Sequence, residues 1–571
     1  CPSLASVHAP LVTSIGESGF AQCVRLASVN MTAVTSLGAS AFQSCSSLGR
    51  VSMPLLTFVR DKVFQNCSNL TGMNMTGFTS IGHYSFDGCS SLTFADLPLV
   101  TSLGNYVFRR CYSVTSVYMP LRTSVGECVF QNCSNLTTIN MTLFSSVGEA
   151  AFEGCTSLTS LDLPLVTRLD RYAFKLCSSV TSVNIPLMTT LGHNIFQYCS
   201  KLTYVNMTQF TSIGYMVFDG CASLTSADLP LVTHMGEYAF RDCSNLTSVY
   251  IPLMTSVGDN VFRYCSKLAN ISIPLVTSIG HASFYRCYSL ASIYMPLVTY
   301  VGSHALRWTD LSSIDLPLIT RANDYAFSEC ANLVSINLPN VTYVGNGALR
   351  YSGLTNISMP LVTSVGYASF HHSLSLAAIN IPLVTSLGNS ALQQCPSLVS
   401  IDMPLLTSIG NHSFYISTGL TNVYLPLLTT MGRHAFRSCS SLVSVDLPLV
   451  DRLELWTFRE CRKLVDVNMP LVTFLGDYSY YDCNALASIS MPLVTSVGEH
   501  AFRSCGVLAS VDMPLVTSLG SSAFSTCPRL TEVNMPLVTS VGQESFLDCN
   551  ALTGISMPLV TSVGEHAFRS C

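Results

Sequence analysis

Twenty-three of the 24 cysteines occupy one place in a 22-residue phrase, starting at Cys1, Cys23, Cys45, Cys67, Cys89 and Cys111 and ending at Cys571. If the phrases stack as parallel strands, neighbouring thiols lie about 4.8 Å apart, inside the Cα separation a disulfide needs. A disulfide zipper is therefore one reading. Against it, the register neighbours of Cys330 are Thr309 and Ser352, those of Cys395 are Ser373 and Ser417, and the run Cys439 to Cys571 has an odd number of members. The other reading is a column of reduced, buried thiols, for which Ser and Thr are size-matched substitutes. Metal ligation lacks a C-x-x-C pair or a local histidine, so no metal is expected. Cys128, outside the column, is the one thiol expected near the surface and reactive.

Other chemistry is sparse. There is no H-E-x-x-H, no phosphate loop and no G-x-S-x-G. His412, His434, His500 and His566 share one repeat position, where solvated surface histidines are expected. Asp96, Asp162 and Asp228 recur three strands apart, about 14 Å, too far for an acid and a base to act on one bond. The chain therefore reads as a non-enzyme with no catalytic residue and no cofactor. Thirteen N-x-S/T sequons are present: Asn30, Asn66, Asn69, Asn74, Asn132, Asn135, Asn140, Asn206, Asn245, Asn270, Asn340, Asn356 and Asn411. In the Asn-Met-Thr triplets at Asn30, Asn74, Asn140 and Asn206, Thr replaces the proline found there in most copies. That coordinated change points to glycosylation at these four, with drift in sibling repeats as the alternative.

The elements that place these residues follow from the phrase C-S-S-L-T-S-V-D-L-P-L-V-T-S-V-G-E-H-A-F-R-S, numbered 1 to 22 from the cysteine. Apolar residues recur at positions 1, 4, 7, 9, 11, 12, 15, 19 and 20. One unit cannot close a core, so about 26 copies must bury their apolar faces on one another in a solenoid. The alternation at positions 4 to 9 predicts one short parallel strand per coil, ended by proline at position 10 (Pro98, Pro164, Pro230). Glycine at position 16 is expected to supply a turn with positive φ, a role that Asp170 and Asn323 fit and Arg60 and Glu454 fit less well. The E-x-A-F-x-x-C stretch predicts a helical turn or a turn of 3₁₀ helix. Phenylalanines at position 20, such as Phe42, Phe108 and Phe568, are expected to stack as an internal column.

Position 8 should face solvent. It carries a polar vocabulary in which Asn74, Asn140 and Asn206, and likewise Asp96, Asp162 and Asp228, recur at every third coil, a super-repeat of the phrase. Tyr118, Tyr250, Tyr294 and Tyr424 are the candidate ligand contacts on this face, with cross-strand packing as the alternative. The stretch 306–417 departs most, with two shortened copies, missing ladder cysteines and Trp308; a local change in curvature or a ligand site would account for it. Trp456 marks a second irregular copy, with Asp451, Arg452 and Glu454. Although 49% of residues are apolar, polar residues break every apolar run well before a membrane span is reached. A net charge of −5 without a basic stripe gives no support to nucleic-acid binding. The phase never resets, so residues 1–571 read as one uninterrupted solenoid, irregular around 306–417. No signal peptide is visible, and Ile555 to Cys571 repeats Ile489 to Cys505 letter for letter. These uncapped ends are expected to belong to a longer array or to self-associate.

The motif L-x-x-V-x-L-P followed by V-T-x-I-G-x-x-A-F-x-x-C resembles the BspA-type, or Treponema-type, leucine-rich repeat over essentially the whole chain. That resemblance implies a right-handed solenoid on a secreted or surface-attached protein, with protein or glycan ligands on a surface or matrix. The leading expectation is extracellular or cell-surface adhesion and recognition through the long sheet face. The alternatives are a glycosylated structural subunit of a rod or filament assembled end to end and, more weakly, a pattern-recognition receptor ectodomain.

Overall fold

Each coil begins its strand where a β-branched or aliphatic residue at position 7 sits between two polar ones, as in Ser6–His8, Ser116–Tyr118 and Ser444–Asp446. The central residue points inward and its neighbours face solvent, the period of a half-buried strand. Coils pair in parallel with a shift of one phrase: Ser6 opposes Ser28, Val7 opposes Val29 and His8 opposes Asn30. The computed structural model describes residues 1–571, and their contacts gather into two compact units. Unit 1 comprises Cys1–Leu275 with Arg286–Leu290, and unit 2 comprises Val276–Tyr285 with Ala291–Cys571.

The expectation of one strand per coil was too low. Past the proline, the β-branched Thr-Ser-Val run forms a second strand of two residues, such as Ser124–Val125 paired with Ser146–Val147. The helical turn is absent as well. Positions 17 to 22 form turns whose N–H groups bond to the next coil: Tyr84 donates to the Asn105 carbonyl at 3.0 Å, Phe86 to Val107 at 3.0 Å and Gly88 to Arg109 at 2.8 Å. Tyr84 and Gly88 have φ of 59° and 76°, and positions 18 and 22 are left-handed in coil after coil. A left-handed residue every four positions rules out a helix, and the intercoil bonds satisfy the backbone instead.

Glycine at position 16 corrects a third expectation, because its φ is not positive. In many coils it is required by crowding: a Cβ on Gly104 would lie 2.6 Å from the His83 nitrogen, and one on Gly236 would lie 2.6 Å from the Gly214 carbonyl carbon, whereas Gly192 and Gly258 have room. The phenylalanine column stands as expected. In unit 1 it runs from Phe20 to Phe262 with ring centroids 5.2–6.0 Å apart. In unit 2 it runs from Phe414 through Tyr480 to Phe568 at 5.1–5.6 Å.

The cysteine column is unpaired. From Cys45 onward each column thiol donates to a carbonyl about one full turn back, as Cys67 does to Phe42 and Cys111 to Phe86 at 3.1 and 3.2 Å. Ser417 places its hydroxyl on the Leu392 carbonyl at 2.8 Å in the same way. The substitution of Cys by Ser or Thr thus preserves a small buried donor, a tighter requirement than size alone. The shortened coils lose their residue between positions 1 and 4; the second ladder breaks before the first of them, at Arg321–Ala322, and runs through the second with Tyr343 opposite Ser364. Position 11, grouped with the core on apolarity, lies at a corner just past the proline, and its leucines are exposed.

Candidate functional site

A ligand-binding face must differ somewhere from its neighbours, and in unit 1 the first sheet does. Its strands end their sheets at Gly72–Met73, Thr138–Ile139 and Tyr204–Val205, each two residues long where most have three. These are the strands that lead into Asn74, Asn140 and Asn206. In each, the asparagine Oδ1 accepts both the backbone N–H and the hydroxyl of the threonine two residues on: 3.1 and 2.8 Å in the first, 3.0 and 2.8 Å in the second, 3.3 and 2.9 Å in the third. Proline, which lacks an N–H, could not complete this turn, so the exchange of Pro for Thr has a structural reason independent of any sugar. Asn30 does not share it, since its Nδ2 meets His8 at 3.2 Å inside a three-residue strand.

Two open hollows flank the next coil. One, of about 770 Å³, is lined by Arg50, Gly72, Asn74, Thr76, Phe94 and Asp96 among others. The second, of about 700 Å³, includes Phe94, Asp96, Tyr118, Thr138, Asn140 and Ser160. The two share Phe94 and Asp96, which form the rib between them. Phe94 is half exposed at position 6, where most coils carry serine, and Gly72 before it removes a side chain from the adjoining strand. Reading position 8 alone missed Phe94, although comparing position 6 across copies would have brought it out together with Tyr204.

Of the four candidate contacts, Tyr118, Tyr250, Tyr294 and Tyr424 are 53, 58, 60 and 62% exposed, but only Tyr118 joins this site. Elsewhere position 8 pairs with itself across coils, as Asn184 donates to Asp162 at 2.8 Å and Asn468 to Asp446 at 2.7 Å. Among the remaining sequons, Asn66, Asn69, Asn132, Asn135, Asn270, Asn356 and Asn411 are exposed and Asn245 is half-buried. Asn340 commits its Nδ2 to the Pro317 carbonyl at 2.7 Å.

The turn wall holds the charged chemistry. In unit 1, position 21 repeats the order amide, acid, base: Gln65 donates to Asp87, which Arg109 grips with two nitrogens at 2.9 and 3.0 Å, and Gln197, Asp219 and Arg241 repeat the arrangement. Asp87 is fully buried. Burial alone would raise its pKa, but hydrogen bonds from Arg109, Arg110 and Gln65 together hold it below the usual carboxylate range. Rings lie under guanidinium groups in both walls, as Arg109 lies 5.0 Å over Tyr106 in unit 1, but in unit 2 the rings join into a longer stack. His412, His434, Trp456, Tyr478 and His500 follow one another with ring centroids 4.5–5.3 Å apart, and Arg437 and Arg459 lie 4.6 and 4.4 Å over Trp456. Of the four histidines expected in solvent, His566 is exposed, but His412, His434 and His500 are half-buried in a ring stack, and burial with neighbouring cations lowers His434 to about 4. Cys128 also departs from expectation: it is buried, and burial pushes its thiol up to about 11, so it is not activated.

No group of three His, Cys, Asp or Glu side chains converges as a metal would need, and no helix is long and apolar enough to cross a membrane. Parallel strands that return once per phrase around stacked leucines and phenylalanines define a leucine-rich repeat solenoid. A family model described as the BspA type leucine rich repeat region matches residues 1–93, 57–180, 101–225, 167–274, 255–377, 342–465 and 452–571, and the chain belongs to that family. No curated protein matches the chain. Among solved structures it is similar to a leucine-rich repeat protein from Bacteroides ovatus, at 25% identity over 68% of this chain and 82% of that one, with a TM-score of 0.26. A leucine rich cell surface protein from Faecalibacterium prausnitzii shares 19% identity over 74% of this chain and 87% of its own, with a TM-score of 0.26. The pneumococcal vaccine antigen PcpA shares 14% over 66% and 84%, with a TM-score of 0.29.

Proposed function

We propose that the protein is a non-enzymatic recognition or adhesion protein, secreted or held at a cell surface, which grips protein or glycan ligands with the first sheet face of unit 1. The observation that carries this reading is the pair of hollows sharing Phe94 and Asp96, because they lie where the coils stop repeating. A flat repetitive face offers many equivalent weak contacts, whereas an exposed ring beside a carboxylate offers one distinctive anchor. Membership of the BspA-type family supports the surface setting.

Beads coated with the full chain test the reading on extracellular matrix and on cell monolayers. Coated beads should adhere more than bare ones. The return-to-repeat substitution Phe94→Ser, with Tyr118→Ser, should remove most of that adhesion while leaving the fold intact. Adhesion no better than that of bare beads, or undiminished in the double variant, would contradict the proposal.

A further inference from the structure

Position 11 is leucine in ten successive coils of unit 2, from Leu361 and Leu383 through to Leu537 and Leu559. All ten lie on the surface, between 38 and 48% exposed. At about 4.8 Å per coil they form a row about 43 Å long. The rows on either side offer few free hydrogen-bond donors. Position 10 is proline throughout and has no N–H to offer. Position 13 is threonine in nine of the ten coils, and each threonine hydroxyl is already donated to a backbone carbonyl of the preceding coil, at 3.0–3.3 Å. With their hydroxyls turned to the backbone, these threonines present methyl groups. Asp451 is the one charge in the three rows.

We propose that this strip is the interface through which two copies of the chain pair side by side. Three positions in each of ten coils make thirty, the upper end of what one partner contributes to a stable protein interface. An exposed apolar strip of this extent marks an interaction surface rather than ordinary solvent-facing leucine. Its period selects the partner: only another array rising by one coil spacing can set a leucine against a leucine along all ten coils. A two-fold axis across the strip would make such contacts self-complementary. A lipid surface is the poorer occupant, because the adjoining position 14 is serine in seven of the ten coils, with Arg452 as the only cation to meet headgroups.

Analytical ultracentrifugation of the full chain over a range of concentrations tests the proposal. The protein should pass reversibly from monomer to dimer. Replacing three leucines, Leu427→Lys, Leu471→Lys and Leu515→Lys, should weaken dimerisation by about a hundredfold or more, with the circular dichroism spectrum unchanged because these side chains leave the core untouched. The second variant, Asp451→Thr, removes the only charge in the strip and should tighten pairing. A chain that stays monomeric up to its solubility limit would overturn the proposal, as would a dimer indifferent to both variants. Co-sedimentation with phosphatidylcholine vesicles that the triple variant abolishes would also overturn it, by showing lipid as the occupant.

Discussion

From residue 67 to residue 154 the rows of the repeat are interrupted one after another, whereas from residue 352 to residue 559 the leucine row passes through ten coils without a break. In the first region Gly77 takes the position-11 place of leucine, Thr76 and Thr142 take the place of proline, and Phe94 takes that of serine. The coils of Thr76 and Thr142 shorten their strands, and the hollows lie on either side of the Phe94 coil between them. One repeat thus yields two kinds of surface. Departures from the phrase create an individual anchor, and fidelity to it creates a long uniform strip. Beneath each region lies a column of stacked rings, interrupted in the second at Leu392, so the contrast is drawn chiefly by the outer positions.

The turn walls extend the comparison into stability. Removing the buried acid by Asp87→Ala strands Arg109 and Arg110 beside a void, and breaking a buried pair of this kind costs about 3 kcal/mol, toward the low end because both guanidinium groups reach solvent. The corresponding removal in unit 2, Glu460→Ala, takes away a partly exposed acceptor of Arg459 and Ser438 and should cost about 1 kcal/mol. Native-state hydrogen exchange is the appropriate measurement, because a repeat array opens locally and the loss should appear in the coils around residue 87. Equal costs at the two sites would remove the distinction between the walls.

Acid gives a smaller contrast. His371 and His434 are lowered from 6.5 to about 4, chiefly by burial, so the fold favours their neutral forms. Their contribution is complete above pH 6.5 and is lost as the pH falls toward 4, because the unfolded chain takes up the protons first. Asp87, held low, keeps its contribution until the pH drops through 3.8 and below. As the pH falls from 6.5 toward 4, therefore, exchange should accelerate around His371 and His434 once corrected for its intrinsic pH dependence, and not around Asp87. Acceleration around both would show that the histidine stack does not distinguish the walls.

Much of this was legible in the sequence because so short a period leaves few ways to bury Leu, Val and Phe. The ring column and a strand within positions 4 to 9, shorter in the fold than that alternation, follow from that constraint, as does a column of thiols whose pairing the phrase leaves open. What escaped depends on neighbouring coils rather than on the phrase itself. Gly104 reads as a turn residue until the backbone of the preceding coil is seen to press against it. Leu427 reads as core because apolarity does not reveal on which side of a corner a side chain emerges. His434 reads as solvated because its stacking partners, His412 and Trp456, each belong to an adjacent coil and stand far off in the chain. Phe94 escaped for another reason: position 6 varies among serine, charged residues, amides and a second exposed ring, Tyr204, so its type alone does not single it out.

The central claim is that recognition resides where unit 1 departs from the repeat. Hydroxyl-radical footprinting of the full chain, free and bound to the matrix that its coated beads grip, addresses it most directly. Protection should concentrate on Phe94 and Tyr118, leaving Tyr294 and Tyr424 as reactive as in the free protein. Equal protection of all four rings would contradict the account and point to uniform contact along the sheet.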